Sequence, residues 1–247
     1  GDDEDEDEDG GGVAAMMRLR RQRTGADAAD KDEAEPMPYT PACPRGIDEF
    51  NDLIERHTRT EEDIDELLRR ILATNSLKLA KHRGNAEGAG AARANMHEFY
   101  AMLLRRFEAV GDACVAEGPL GAGEEVEDEA DDARAGFKKQ LESMAAHIHR
   151  TTEDLAGVAA ARWVSRLLRM HRRLEKLLAD VADGLATPTC WPSGGKLLVL
   201  QLAAQIWPTS DRRHPVATPA AILLGQCLAE APVGPKNTGE AGADAPG

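Results

Sequence analysis

Chemistry in this chain would have to come from a few Ser, Cys, His and carboxylate positions, and their spacing decides against it. Ser193-Gly194-Gly195-Lys196 comes nearest to a phosphate-binding loop. Such a loop needs a glycine five positions before its second glycine and a hydroxyl after the lysine, because backbone amides cradle the phosphates and the hydroxyl holds the metal. Cys190 and Leu197 stand at those positions, so no nucleotide site is expected. His147 and His149 are two apart, which sets them on different faces of a helix, where they do not share a zinc. They read as single surface or half-buried histidines. Cys190, Asp211 and His214 are the one set that acyl transfer could use. No motif supports their geometry, and Asp211 closes the turn Pro208-Thr209-Ser210-Asp211 through side-chain to backbone bonds. The residues therefore nominate no catalytic group, no cofactor site and no metal site, and the expectation is a protein that is not an enzyme.

The charge is concentrated rather than spread. Of a formal net charge of -14, the tract Asp2 to Asp9 carries eight carboxylates and Glu124 to Asp132 carries seven; without these fifteen the chain stands at +1. Such runs repel themselves and bury no apolar area. Four cysteines, Cys43, Cys114, Cys190 and Cys227, lie far apart with no Cys-x-x-Cys pair, which reads as reduced thiols of an intracellular protein. No apolar run reaches the roughly eighteen residues that a membrane span needs. Beginning at Gly1, the sequence reads as part of a longer protein.

The elements that would position any site are helices. Residues 1–35 are acidic and Gly- and Ala-rich, with a short basic cluster from Arg18 to Arg23, and read as a disordered tail. Four prolines between Pro36 and Pro44 favour extended backbone that lies along another surface. After them Ile47, Phe50, Leu53, Ile54 and His57 recur at helical spacing, and Thr60 caps a second stripe of Ile64, Leu67, Leu68 and Ile71. A Gly- and Ala-rich interruption from Arg83 to Arg93 precedes a third stripe, Met96, Phe99, Tyr100, Leu103, Leu104, Phe107 and Val110. Residues 118–136 read as an acidic disordered loop, Phe137 to His149 as helix, and Leu155 to Val181 as the longest periodic run. Its outer side carries Arg162, Arg166, Arg169, Arg172, Arg173 and Lys176. Leu197 to Ile206 forms a helix that stops at Trp207-Pro208, and Thr218-Pro219 caps a last one, Ala220 to Glu230. The expected fold is all-α, a set of stacked helical hairpins of the HEAT or armadillo kind over residues 36–232, with a flexible tail at 233–247.

One run is more specific than any of this. Ile206-Trp207-Pro208-Thr209-Ser210-Asp211-Arg212-Arg213-His214-Pro215-Val216-Ala217-Thr218-Pro219-Ala220, continuing through Leu223, Leu224, Gly225, Gln226 and Leu228 to Ala231-Pro232-Val233, resembles the signature of the nucleolar protein 14 family. Met37-Pro38-Tyr39-Thr40, Cys43-Pro44, Phe50 and Leu53-Ile54 resemble the segment that opens the same region. The resemblance implies a nucleolar, non-enzymatic component of the small-subunit processome, needed for 18S rRNA maturation. It implies contacts with nucleolar complex protein 4, with the pseudouridine methyltransferase of that particle and, nearby, with pre-rRNA, and no membrane or small-molecule substrate. Tyr39, Trp207, Asp211, Arg212, Arg213 and His214 are then the candidate partner contacts. Trp207 serves equally as a core residue closing its helix. Arg162, Arg166, Arg169, Arg173 and Lys176 are candidates to face RNA, or are an ordinary solvated face. A third reading makes the acidic tracts a chaperone for basic proteins.

Overall fold

The computed structural model describes residues 35–76, 86–116, 124–182, 191–207 and 215–230. Among them are seven helices and no strand: α1 (Ile47–His57), α2 (Glu61–Thr74), α3 (Ala86–Ala116), α4 (Glu124–Asp154), α5 (Ala156–Ala182), α6 (Gly194–Ile206) and α7 (Ala217–Glu230). The all-α expectation holds. None of the described helices is long and apolar enough to cross a membrane.

The third apolar stripe becomes the axis of the molecule. Phe99, Tyr100, Leu103, Leu104 and Val110 of α3 are fully buried, and α3 packs against α4, α5 and α6. Helix pairs such as α1/α2 and α3/α4 are consistent with stacked hairpins. Phe50 of α1 meets Phe99 edge-on at 5.3 Å between ring centres, a geometry that the opposed charges of ring edge and ring face favour. Polar ties also run through this core. Trp163 Nε1 of α5 donates to the Tyr100 hydroxyl at 2.8 Å, which pairs with the Thr152 hydroxyl of α4 at 2.6 Å, and Thr152 donates to the Ile148 carbonyl at 2.8 Å.

A local signal explains the start of α2. Thr60 and Asp63 form a capping box on α2: Asp63 N donates to Thr60 Oγ1 at 3.2 Å and Thr60 N to Asp63 Oδ2 at 2.9 Å, while Glu61, Glu62 and Asp63 face the positive end of the helix dipole. Ser193 precedes α6 without a side-chain cap. Asp112 of α3 supplies it instead, accepting from Gly195 N at 2.6 Å.

Three expectations are corrected. The interruption ending at Arg93 is helical from Ala86 onward, because alanine is the strongest helix former and a glycine costs only about 1 kcal/mol. The acidic stretch expected as a loop over 118–136 is helical from Glu124, where α4 begins, because a carboxylate-rich sequence suits the positive end of a helix dipole; residues 118–123 lie outside the described residues. The last helix begins at Ala217 rather than after Thr218; Pro219 still falls within the first turn, where its missing amide has no partner to lose. Of the tails expected at 1–35 and 233–247, all but Glu35 lie outside the described residues; the Glu35 amide donates to the Arg56 carbonyl at 3.1 Å.

The Ser-Gly-Gly that imitates a phosphate loop is a crossing point. A Cβ on Gly195 would stand 2.0 Å from the Glu108 carbonyl oxygen of α3, and one on Gly111 2.9 Å from Gly195 Cα. The two backbones approach too closely for any side chain. Gly195→Ala is therefore expected to destabilise the protein by about 1–3 kcal/mol, whereas Gly90→Ala, with open space around it, should raise stability by up to about 1 kcal/mol. Denaturation midpoints of the two variants check this, and a neutral Gly195→Ala would contradict the close crossing.

Candidate interaction surfaces

The histidines turn out to be structural. His147 is buried, and its Nε2 lies 2.9 Å from Asp65 Oδ1 of α2, which also accepts from Ser143 Oγ at 2.5 Å. The Ser143 hydroxyl and then His147 hold the Asp65 carboxyl below the usual carboxylate range. A depressed carboxylate stabilises the fold above its unfolded-state pKa, near 3.9, and that contribution fades as pH falls through its lower folded-state value. Asp65→Asn is thus expected to flatten the acid limb of the stability profile below about pH 4 while leaving its neutral limb parallel to wild type; pH-dependent denaturation measures it. His149 is exposed, 4.0 Å from Glu153. Among the described residues no cluster of three or more His, Cys, Asp or Glu could hold a metal.

Cys43 is buried, and burial, with Glu49 adding to it, pushes its thiol up to about 11, far from a nucleophilic thiolate. Cys190, Asp211 and His214 fall outside the described residues, as do Arg212 and Arg213. A cleft of about 450 Å³ opens between the ends of α2 and α4. Of the residues weighed for chemistry in the sequence only His147 lines it, and that ring is already engaged with Asp65.

The Pro36 to Pro44 segment does lie along a surface, and the surface is its own α2. Arg70 donates to the Met37 and Pro38 carbonyls at 3.2 and 3.1 Å, and Asn75 Nδ2 to the Pro41 carbonyl at 3.3 Å. Tyr39 stays outward, 87% exposed, with the Arg70 guanidinium 6.0 Å from its ring centre. Trp207 closes α6, donating its amide to the Ala203 carbonyl at 2.9 Å, and its half-buried ring packs on the core. Its indole Nε1 is buried without a hydrogen-bond partner.

The basic stripe of α5 divides in two. Arg166 is not solvated: it inserts towards α3 and pairs with Glu108, both side chains largely covered. Burial and the neighbouring Arg169 and Arg105 bring its pKa down to about 10, so it stays charged at neutral pH. Arg162 pairs with Glu98 of α3. Arg169, Arg172, Arg173 and Lys176, further along, are exposed.

A second surface escaped sequence reasoning. On α7, Ala220, Leu223 and Cys227 are buried, yet Ile222, Leu224 and Leu228 are exposed on the other side. The signal was present: no charged residue occurs between Ala217 and Ala229, and a helix apolar all round is a helix covered all round.

Comparison with known proteins fixes the family. The family model described as Nop14-like matches residues 1–238. The chain belongs to the Nop14-like family. This Nop14-like chain is 24% identical over 212 residues to human Nucleolar protein 14, an alignment covering 85% of the chain and 20% of that relative. It thus spans about one fifth of the relative's length. No solved structure matches the Nop14-like chain.

Proposed function

We propose that this chain is a non-enzymatic scaffold segment of the nucleolar small-subunit processome, acting in 18S rRNA maturation and assembly of the small ribosomal subunit. Membership of the Nop14-like family supports a nucleolar role in ribosome biogenesis, as does similarity to a relative named Nucleolar protein 14. The observation that carries the scaffold reading is the outer face of α7, where Ile222 and Leu228 are 57% and 70% exposed on a helix with no charge before Glu230. Contiguous apolar surface of this kind marks a protein contact. Trp207, which closes α6, and Tyr39 complete the proposed partner contacts with Asp211, Arg212, Arg213 and His214, which lie outside the described residues. An arginine pair there would meet carboxylate or phosphate. The family resemblance supports nucleolar complex protein 4 and the pseudouridine methyltransferase of the particle as partners.

The test is purification of the tagged chain from nucleolar extract, with and without RNase, identifying proteins and RNA from the same beads. Processome proteins that persist after RNase are the expected result. Recovery of neither those proteins nor pre-rRNA overturns the proposal.

A further inference from the structure

The exposed cations of α5 are sorted by what α3 takes from them. Arg162 and Arg166 are held by Glu98 and Glu108, which fixes the rotation of α5 and turns the next residues away from the core. Arg169, Arg172, Arg173 and Lys176 then stand at i, i+3, i+4 and i+7, a spacing that gathers them on one side of a helix. All four are exposed. They span Arg169 to Lys176, about 10 Å of helix, the length of about three steps, or four successive phosphates, along one strand at duplex spacing. Of the two carboxylates on α5, Glu175 lies 3.4 Å from His171 and Asp180 follows beyond the row. Arg105 of α3 adds charge at the near end, close enough to Arg166 to lower its pKa together with Arg169.

We infer that Arg169, Arg172, Arg173 and Lys176 form a site for the phosphate backbone of RNA. A protein partner would need an apolar centre to bury, since binding energy concentrates in desolvated anchors. The row has none: Met170 and Leu174, between its members, are buried inward, and Leu168, 49% exposed, lies at one edge. The apolar anchors sit on α7 instead. Arginine forks match phosphate oxygens two at a time, and α5 exposes no aromatic side chain on which a base could stack. Recognition therefore stops at the backbone and ignores sequence.

The measurement is fluorescence anisotropy of the full chain with a labelled RNA duplex across a potassium chloride series. Four phosphate contacts predict that affinity falls with a log–log slope of about −3 to −4. Replacing all four cations with alanine should lower affinity at least tenfold and bring the slope near zero. The pair Arg172→Ala and Lys176→Ala should remove about half of it, and Arg172→Lys should preserve it. Circular dichroism shows that each variant remains helical, and the pair decides if the fourfold variant does not. No binding at the lowest salt, or an unchanged slope in the folded variants, overturns the site. Tighter binding of polyglutamate than of RNA overturns it too, and assigns the row to an acidic protein segment.

Discussion

Glu108→Gln is expected to lower the stability of this protein by about 3–5 kcal/mol, the largest loss anticipated from any single polar substitution in the fold. Glu108 and Arg166 are 15% and 12% exposed, and they join α3 to α5 in the protein's most covered ion pair among the described residues. Removing one partner leaves the other charge with neither water nor a counter-ion, a penalty larger than the net gain of the pair itself. Arg166 is poorly placed to recover, because its Nε is already buried without a hydrogen-bond partner and Arg169 and Arg105 repel it. Replacing both members, Glu108→Leu with Arg166→Met, should return most of the lost stability, since a well-packed apolar pair avoids desolvation altogether. Denaturant midpoints of the two single variants and the double variant form the test. A loss below about 0.5 kcal/mol for Glu108→Gln would place the pair in effective contact with water.

The same turn of α3 does three jobs. The Glu108 side chain binds α5, its carbonyl lies beneath Gly195 of α6, and Asp112 caps α6 through the Gly195 amide. Nothing in the sequence announces this convergence, because it depends on residues roughly sixty to eighty positions apart. What periodicity could give, it gave: the stripes of α2, α3 and α5 became buried faces, since an apolar face at 3.6-residue spacing has few ways to leave water. The capping box at Thr60 was legible because its partners are three residues apart. The misread stretches, 86–93 and 124–136, failed for one reason. Glycine and like charge disfavour a helix, but alanine content and the helix dipole outweigh them at a helix start. Arg166 was misjudged because a basic stripe looks the same in sequence whether its members meet solvent or a carboxylate on another helix. The proposed partner contacts at Trp207 and Asp211 to His214 rest on family resemblance, which carries information that spacing does not.

Ile222→Asp together with Leu228→Asp is expected to abolish recovery of partner proteins while leaving the fold in place. Both side chains are mostly exposed, so their replacement opens no cavity among Ala220, Leu223 and Cys227, the buried residues of α7. If the face is covered in the assembled particle, each aspartate must shed its hydration against an apolar partner, and a central anchor is lost as well. Truncation of such anchors costs about 2 kcal/mol or more each, so two together should weaken binding by at least several-hundredfold. The isolated variant should keep its helical circular-dichroism signal and gain solubility, because an exposed apolar patch promotes association and a charged one opposes it. Full recovery of the same partners by the variant would remove α7 from the interface and leave Tyr39 and the Trp207 to His214 loop to carry it. Loss of recovery with retained RNA binding would separate the two surfaces: protein held by α7 and RNA by α5.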